Sequence, residues 1–280
     1  MPIIPEGLIR SLRKGEKYVV SENPIIIIEK VDDIPDLINP VFMEGLPGIG
    51  YVGYTTTSYI VKSLNPKVFL KLYMSILPAQ VSIRNNGLAE LISYTFYYYK
   101  GKARDFVFML GDAQPANPQD QYLATLLILE ILKELGVREI VTVGGYGKGT
   151  QPERPKVYGA ATDAEFAEMF SKYGVVFSNT EPEGGIIGIT GLLIGLGKLM
   201  GFRGVCLMGE TSGMFRDPKA AREIVKILNE HYMLDVDMSG LEKMIMEFEK
   251  FLNVVSEISS TEEKKFKPEK RFTEEFRYIR

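Results

Sequence analysis

The sequence predicts an α/β domain with helices on both faces of a mixed, largely parallel sheet. Three observations carry the prediction. Short strand-like runs alternate with helix-length segments through most of the chain, which implies parallel βαβ units. Two of the helix-like segments open on Asn117-Pro118 and Asp217-Pro218, a cap followed by the proline that suits a first helical position. One pair of strand-like runs flanks Asn85-Asn86-Gly87, whose Asn-Gly step suits the positive φ of a tight turn, so an antiparallel hairpin extends the sheet.

The elements follow in order. Ile25-Ile26-Ile27-Ile28 and Val41-Phe42-Met43 are short apolar strands, the second ending in Glu44-Gly45. Residues 55–64 form a helix closed by Asn65-Pro66, and 67–74 a strand. The hairpin has arms over 81–84 and 88–99, and 104–110 is a buried strand. A helix over 118–135 takes Asn117 as its N-cap and ends at Gly136. Ile140-Val141-Thr142-Val143 is a strand that stops at Gly144-Gly145. Thr162-Asp163-Ala164-Glu165 has the form of a capping box, in which the Thr162 hydroxyl and the Glu165 carboxylate satisfy each other's orphan amides, for a helix to about Tyr173. Val175-Val176-Phe177 is a strand, 188–200 a tightly packed helix, 204–208 a central strand, and 217–231 a capped helix.

The C-terminal region has a different pattern. Leu241, Ile245, Phe248, Leu252 and Val255 are spaced 4, 3, 4, 3, the narrow seam of a coiled coil or bundle. Met244, Phe251 and Ile258 widen that stripe. A helix closing its own domain and a subunit contact are equal readings of it. Residues 259–275 mix charges with little apolar content, as a mobile tether does, and Phe276-Arg277-Tyr278-Ile279-Arg280 follows. Aromatic residues on a solvated tip gain nothing unless they dock. The expected organisation is a core domain over 1–240, a helix over 241–258 and a flexible tail over 259–280.

Composition narrows the chemistry. With 280 residues, 45% hydrophobic and 25% charged, the chain is too apolar for global disorder. Cys206 is the only cysteine, which excludes an internal disulfide and a Cys-rich zinc site. His231 is the only histidine, so no multi-His metal site exists, and a Ser-His-Asp triad would have to use that one ring. A net charge of −3 gives no electrostatic reason to expect nucleic acid. The longest apolar stretch, 186–200, is broken by glycines and Lys198 and is too short to span a bilayer. The first 17 residues mix prolines and charges, unlike a signal peptide, so a cytoplasmic protein is expected, with no cofactor and no metal.

Several motifs tempt. Gly48-Ile49-Gly50-Tyr51-Val52-Gly53 has the G-x-G-x-x-G form, yet no Asp or Glu occurs from Thr55 to Ala89 to bind a ribose. Lys71 stands near where a dinucleotide carrying a phosphate on that ribose would want a cation, but close helix packing is the favoured use of these glycines. Lys148 and Lys198 each follow a glycine, but Gly149 with Thr142 and Leu199 with Leu192 break the phosphate-loop pattern. Glu44, Asp112 and Glu210 each follow an apolar strand, at the edge where α/β sheets gather ligands. They are candidates for metal binding or acid–base work, against the commoner use of such carboxylates as acceptors for loop amides. Cys206 lies inside a strand as an inert thiol, and His231 ends a helix, where a cation favours the dipole.

Four segments taken together carry a resemblance: Glu44-Gly45-Leu46-Pro47-Gly48-Ile49-Gly50, Gly111-Asp112-Ala113-Gln114-Pro115, Gly188-Ile189-Thr190-Gly191-Leu192-Leu193 and Gly209-Glu210-Thr211-Ser212-Gly213. In this order they resemble the proteasome assembly chaperone family in its archaeal form, over about residues 20–255. The resemblance implies a three-layer αβα sandwich similar to purine nucleoside phosphorylases. It implies ATP-independent chaperoning rather than catalysis, and homo-oligomers whose C-terminal tails reach the α-subunit ring of the proteasome core. In that family docking uses a C-terminal hydrophobic–tyrosine–any residue signature. Here Tyr278 stands for the hydrophobic residue, Ile279 occupies the tyrosine's place and Arg280 is last. Phe276, Tyr278, Ile279 and Arg280 are therefore the expected partner contacts, and Leu241, Ile245, Phe248, Leu252 and Val255 the expected oligomer seam. The expected partners are proteasome core α subunits and further copies of the chain, with no nucleic acid and no membrane. Some relatives have been classed as ATP-grasp-like ligases. The competing reading is thus a phosphorylase-like or ligase enzyme using Glu44, Asp112 and Glu210 around a glycine-lined pocket.

Overall fold

The computed structural model describes residues 2–83, 87–178 and 185–265, with side chains as far as 257. The chain divides into a unit over 1–238 and a second beginning at Ser239. Among the described residues, eleven strands and seven helices follow one another. They are α1 (Leu8–Ser11), β1 (Lys17–Glu22), β2 (Ile25–Lys30), β3 (Val41–Gly45), α2 (Val52–Leu64), β4 (Lys67–Met74), β5 (Val81–Ile83), β6 (Ala89–Leu91) and β7 (Tyr94–Tyr99). Then come β8 (Phe106–Gly111), α3 (Pro118–Glu134), β9 (Glu139–Gly147), β10 (Val157–Ala161), α4 (Ala164–Ser171), α5 (Ile189–Leu199), β11 (Arg203–Thr211), α6 (Pro218–Tyr232) and α7 (Ser239–Lys265).

Nine strands form one mixed sheet in the order β1-β2-β4-β7-β8-β3-β9-β11-β10. The central four, β8, β3, β9 and β11, pair in parallel, with Val41 opposite Phe106 and Val205 opposite Val141. An antiparallel wing of β1, β2, β4 and β7 joins at β8, and β10 closes the other edge antiparallel to β11. Strand alternation sends side chains to two different layers. Phe42, Ile140, Cys206 and Met208 join Leu127, Ile131 and Leu193 in one core, beneath the packed helices α3 and α5. Gly45 and Gly209, on the other face, meet Thr57 of α2 and Ala220 of α6. The unit is therefore a three-layer αβα sandwich, as expected. Among the described residues no helix is long and apolar enough to cross a membrane.

Helix starts follow the capping chemistry. Asn117 accepts a hydrogen bond from the Asp120 amide, and Asp217 accepts from Lys219 and Ala220. The capping box is corrected by one residue: Asp163 caps α4 by accepting from Phe166, while the Thr162 hydroxyl accepts from the Gly204 amide at the start of β11. The hairpin also differs from expectation. Its second arm breaks at Ile92-Ser93, so β5 and β6 form a separate two-stranded sheet and only β7 enters the main one. The turn at Asn85-Asn86 lies outside the described residues. β9 does not stop at Gly144-Gly145 but runs to Gly147, because β11 continues to pair with it as far as Thr211. The strand expected over 175–177 is a single bridge between Tyr158 and Val176.

Candidate functional site

The parallel strands end at a loop cluster whose shape is set by glycine. β3 ends in Glu44-Gly45, where a Cβ on Gly45 would lie 2.4 Å from Thr57 Cβ, so α2 packs directly against the strand end. The chain then turns through Leu46-Pro47-Gly48 into a 3₁₀ turn, Ile49–Tyr51, with Gly50 and Tyr51 both at positive φ. A Cβ on Gly53 would stand 2.2 Å from the Val143 carbonyl oxygen. The G-x-G-x-x-G segment therefore serves close approach of α2 to β9, which is the packing use the sequence favours. Gln114 ties this loop to the start of α5: its Nε2 donates to the Pro47 carbonyl at 2.9 Å, and its Oε1 accepts from the Ile189 amide at 3.1 Å. Between these pieces lies a cavity of about 550 Å³, lined by Leu46, Ile49, Val143, Gly144, Tyr146, Thr190 and Met208 among others. It occupies the carboxyl edge of a parallel sheet, where ligand sites of α/β folds occur.

Glu44 lies behind the wall of that cavity and is fully buried. Its Oε1 accepts from the Leu46 amide at 3.0 Å and the Thr190 hydroxyl at 3.2 Å, and its Oε2 accepts from the Val143 amide at 3.2 Å. All three donors belong to residues lining the cavity. Burial pushes the Glu44 carboxyl up to about 7, against the opposing pull of those three hydrogen bonds. Burial, and secondarily the Glu44 charge, raises the Tyr94 phenol, whose oxygen is buried without a hydrogen-bond partner among the described residues.

The other two carboxylates do not join Glu44. Asp112 Oδ2 accepts from the Ser93 amide at 3.0 Å, and Glu210 Oε2 accepts from the Lys156 amide at 3.2 Å. Each is spent on loop backbone, and among the described residues no group of three or more His, Cys, Asp or Glu could hold a metal ion. Cys206 is buried beside Thr142, and burial pushes its thiol up to about 12, so it stays protonated and inert near neutrality. His231 needs a correction. Its ring packs tilted against Phe170 and edge-on to Tyr173 and Tyr232, at centroid distances of 4.6, 5.2 and 4.4 Å, and burial lowers its pKa. It packs as a neutral aromatic rather than as a cation on the helix dipole. The Lys148 ammonium lies 5.1 Å from the Tyr146 ring centroid, and Lys198 is exposed in the last turn of α5.

Leu241, Ile245, Phe248, Leu252 and Val255 all fall on α7, where their spacing places them along one stripe. Met246, Phe251 and Val254 of the same helix are exposed. Phe276, Tyr278, Ile279 and Arg280 lie outside the described residues. Sequence reasoning assigned no chemistry to Gln114 or Thr190, although both fall within the segments that carried the resemblance. Thr190 is the one polar residue of its glycine and apolar motif, whereas Gln114 shares its motif with the charged Asp112.

Comparison with known proteins follows this geometry. A model of the PAC2 family matches residues 42–256. An uncharacterized protein of Methanocaldococcus jannaschii is 33% identical over 254 residues, 91% of this chain and 97% of the relative. Among solved structures, Pyrococcus furiosus PbaB, described as an archaeal proteasome activator, matches with a TM-score of 0.77 and 34% identity, over 82% of this chain and 98% of that one. Pyrococcus furiosus PbaA, described as an archaeal homolog of proteasome-assembly chaperone, matches with a TM-score of 0.68 and 25% identity, over 85% of this chain and 95% of that one.

Proposed function

Because the chain belongs to the PAC2 family and is homologous to proteasome-assembly-chaperone-like proteins, we propose that it is an ATP-independent, homo-oligomeric assembly chaperone or adaptor of the proteasome core. In this reading it works in the cytoplasm and docks onto the α-ring through residues 276–280. The observation that carries the reading is the match to PbaB, which spans 98% of that chain at 34% identity. The αβα unit is the platform. The stripe Leu241, Ile245, Phe248, Leu252 and Val255 assembles copies or projects the tail, and Phe276, Tyr278, Ile279 and Arg280 touch the α subunits. Several tails on one assembly multiply weak single contacts through effective concentration. The carboxylates at the sheet edge support binding over turnover, because Glu44, Asp112 and Glu210 each accept from backbone amides.

Deleting 276–280 is expected to abolish co-purification with proteasome core α subunits while leaving Tm and native mass unchanged. Mg-ATP is expected to leave Tm unchanged as well, since any ligand specific for the folded state raises it. Undiminished capture by the shortened chain overturns tail docking. A monomeric native mass overturns the oligomer, and a rise in Tm with Mg-ATP overturns ATP independence.

A further inference from the structure

The loops after β3, β9 and β11 form one surface. The Asp217 amide donates to the Gly50 carbonyl at 2.9 Å, and the Lys148 amide donates to the Thr211 carbonyl at 2.8 Å. A Cβ on Gly213 would touch the Ile49 side chain at 3.3 Å. Three large apolar side chains stand out from this surface: Ile49 is 54% exposed, Tyr51 47% and Met214 69%. Beside them the Arg216 guanidinium lies over the rings of Tyr51 and Tyr54, at 5.3 and 5.7 Å from their centroids. Arg10, Arg104, Arg203 and Arg222 each pair with a carboxylate. Arg216 is exposed and has no carboxylate partner among the described residues. Ile49 also lines the 550 Å³ cavity, so the exposed surface and the cavity are continuous through its side chain.

We propose that this edge docks a peptide segment of a partner protein in which an acidic residue neighbours a large apolar one. The carboxylate sits on Arg216, and the apolar side chain enters the cavity past Ile49. Charge decides the class of occupant: an exposed guanidinium beside two aromatic rings, with no described carboxylate on it, can grip a planar carboxylate with two parallel hydrogen bonds. The exposed apolar side chains around it lose water on contact, which an acidic segment without apolar residues would not exploit. A nucleic acid requires a row of phosphate contacts, and one arginine on a chain of net charge −3 does not supply it.

The test is fluorescence anisotropy on the full chain with three labelled dodecapeptides. The first alternates Glu with Leu and Phe, the second has Lys for every Glu, and the third has Gly for every Leu and Phe. Saturable binding is expected for the first alone. Arg216→Glu should weaken it at least tenfold, and Gly144→Leu should do the same. A Cβ at Gly144 meets Thr190 Cγ2 at 3.6 Å and Met208 Cγ at 3.9 Å, ordinary contacts with two cavity-lining residues, so a leucine there fills the space the anchor needs. Ile49→Asp, on the surface, replaces Gly144→Leu if that variant fails to fold. Equal binding of the lysine peptide, full binding by Arg216→Glu, or no saturable binding at millimolar peptide overturns the proposal. Full binding by Gly144→Leu or Ile49→Asp, or equal binding of the glycine peptide, overturns the anchor.

Discussion

The parallel centre and the antiparallel wing belong to one sheet yet are built by opposite means. No glycine occurs within β1, β2, β4 or β7. The wing is filled by rings, with Phe69 6.3 Å from Phe96 and 6.2 Å from Tyr98 between centroids. In the centre, close approach of backbone replaces side-chain filling: Gly53 admits the Val143 carbonyl, and Gly145 admits the Ile49 carbonyl, each 2.2 Å from where a Cβ would stand. Both halves also bury an ionisable side chain within a strand. Glu44 in the centre takes three donors behind a cavity. Lys30 in the wing has the Ile9 carbonyl as its acceptor, at 2.7 Å. The difference teaches that the carboxyl edge of the parallel strands is shaped by missing side chains. The wing is shaped by the side chains that fill it.

The glycine half of this contrast predicts the largest effect. Gly53→Ala drives a methyl into the Val143 carbonyl, and both backbones are fixed by packing, so a loss of about 3 kcal/mol or more is expected in urea unfolding. Gly15→Ala, at φ +82° with nothing near its would-be Cβ, should lose about 1 kcal/mol from backbone strain alone. Equal losses at the two positions would break the contrast. Glu44 provides the next effect. Its folded pKa of about 7 lies above the ordinary 4.5, so the folded state holds the extra proton between these values. Stability from this group is greatest below pH 4.5 and falls as pH rises to about 7. The stability difference between wild type and Glu44→Gln should therefore shrink across that window, by roughly 3 kcal/mol at most. A difference that stays flat from pH 4.5 to 7 means the carboxyl ionises freely.

Much of this fold is legible in the residues, and the failures have physical causes. The caps at Asn117 and Asp217 are readable because a side-chain oxygen before a proline has few other uses. The chaperone-family resemblance also stands, since the PAC2 match begins two residues before Glu44 and takes in all four motifs. β10 was missed because Val157-Tyr158-Gly159-Ala160-Ala161 shows little alternation. Gly159 is small there because the Phe177 ring fills the place of its side chain, a contact made through space. β9 outran its expected end because pairing with β11 outweighs the weak strand preference of glycine. Within the site, Glu44 was readable as a strand-end carboxylate. Its isolation from Asp112 and Glu210 was not, because that depends on which amides the loops bring to each. Arg216 gave no signal at all, since Tyr51 and Tyr54 reach it across the fold from more than a hundred and fifty positions away.

Lys30 sharpens the comparison by reversing its sign. The side chain is almost fully buried, and burial lowers its pKa below 10.5, partly offset by Asp33 and Asp32. Between the lowered value and 10.5 the unfolded chain binds more protons than the folded one, so stability from this group rises with pH through that window. Lys30→Met removes the desolvation penalty but leaves the Ile9 carbonyl buried without its donor, which costs about 1–3 kcal/mol. The two terms oppose, so the net change at pH 7 should stay within about 1 kcal/mol, the smallest of these effects. As pH climbs toward 10.5, the wild type should gain on Lys30→Met, whereas it loses ground to Glu44→Gln between pH 4.5 and 7. Denaturation series on both variants measure the two slopes directly. Slopes of the same sign would mean that the fold favours the charged form of one of the two side chains, through partners that outweigh burial, and a flat series would mean that its group is hydrated as in the unfolded chain.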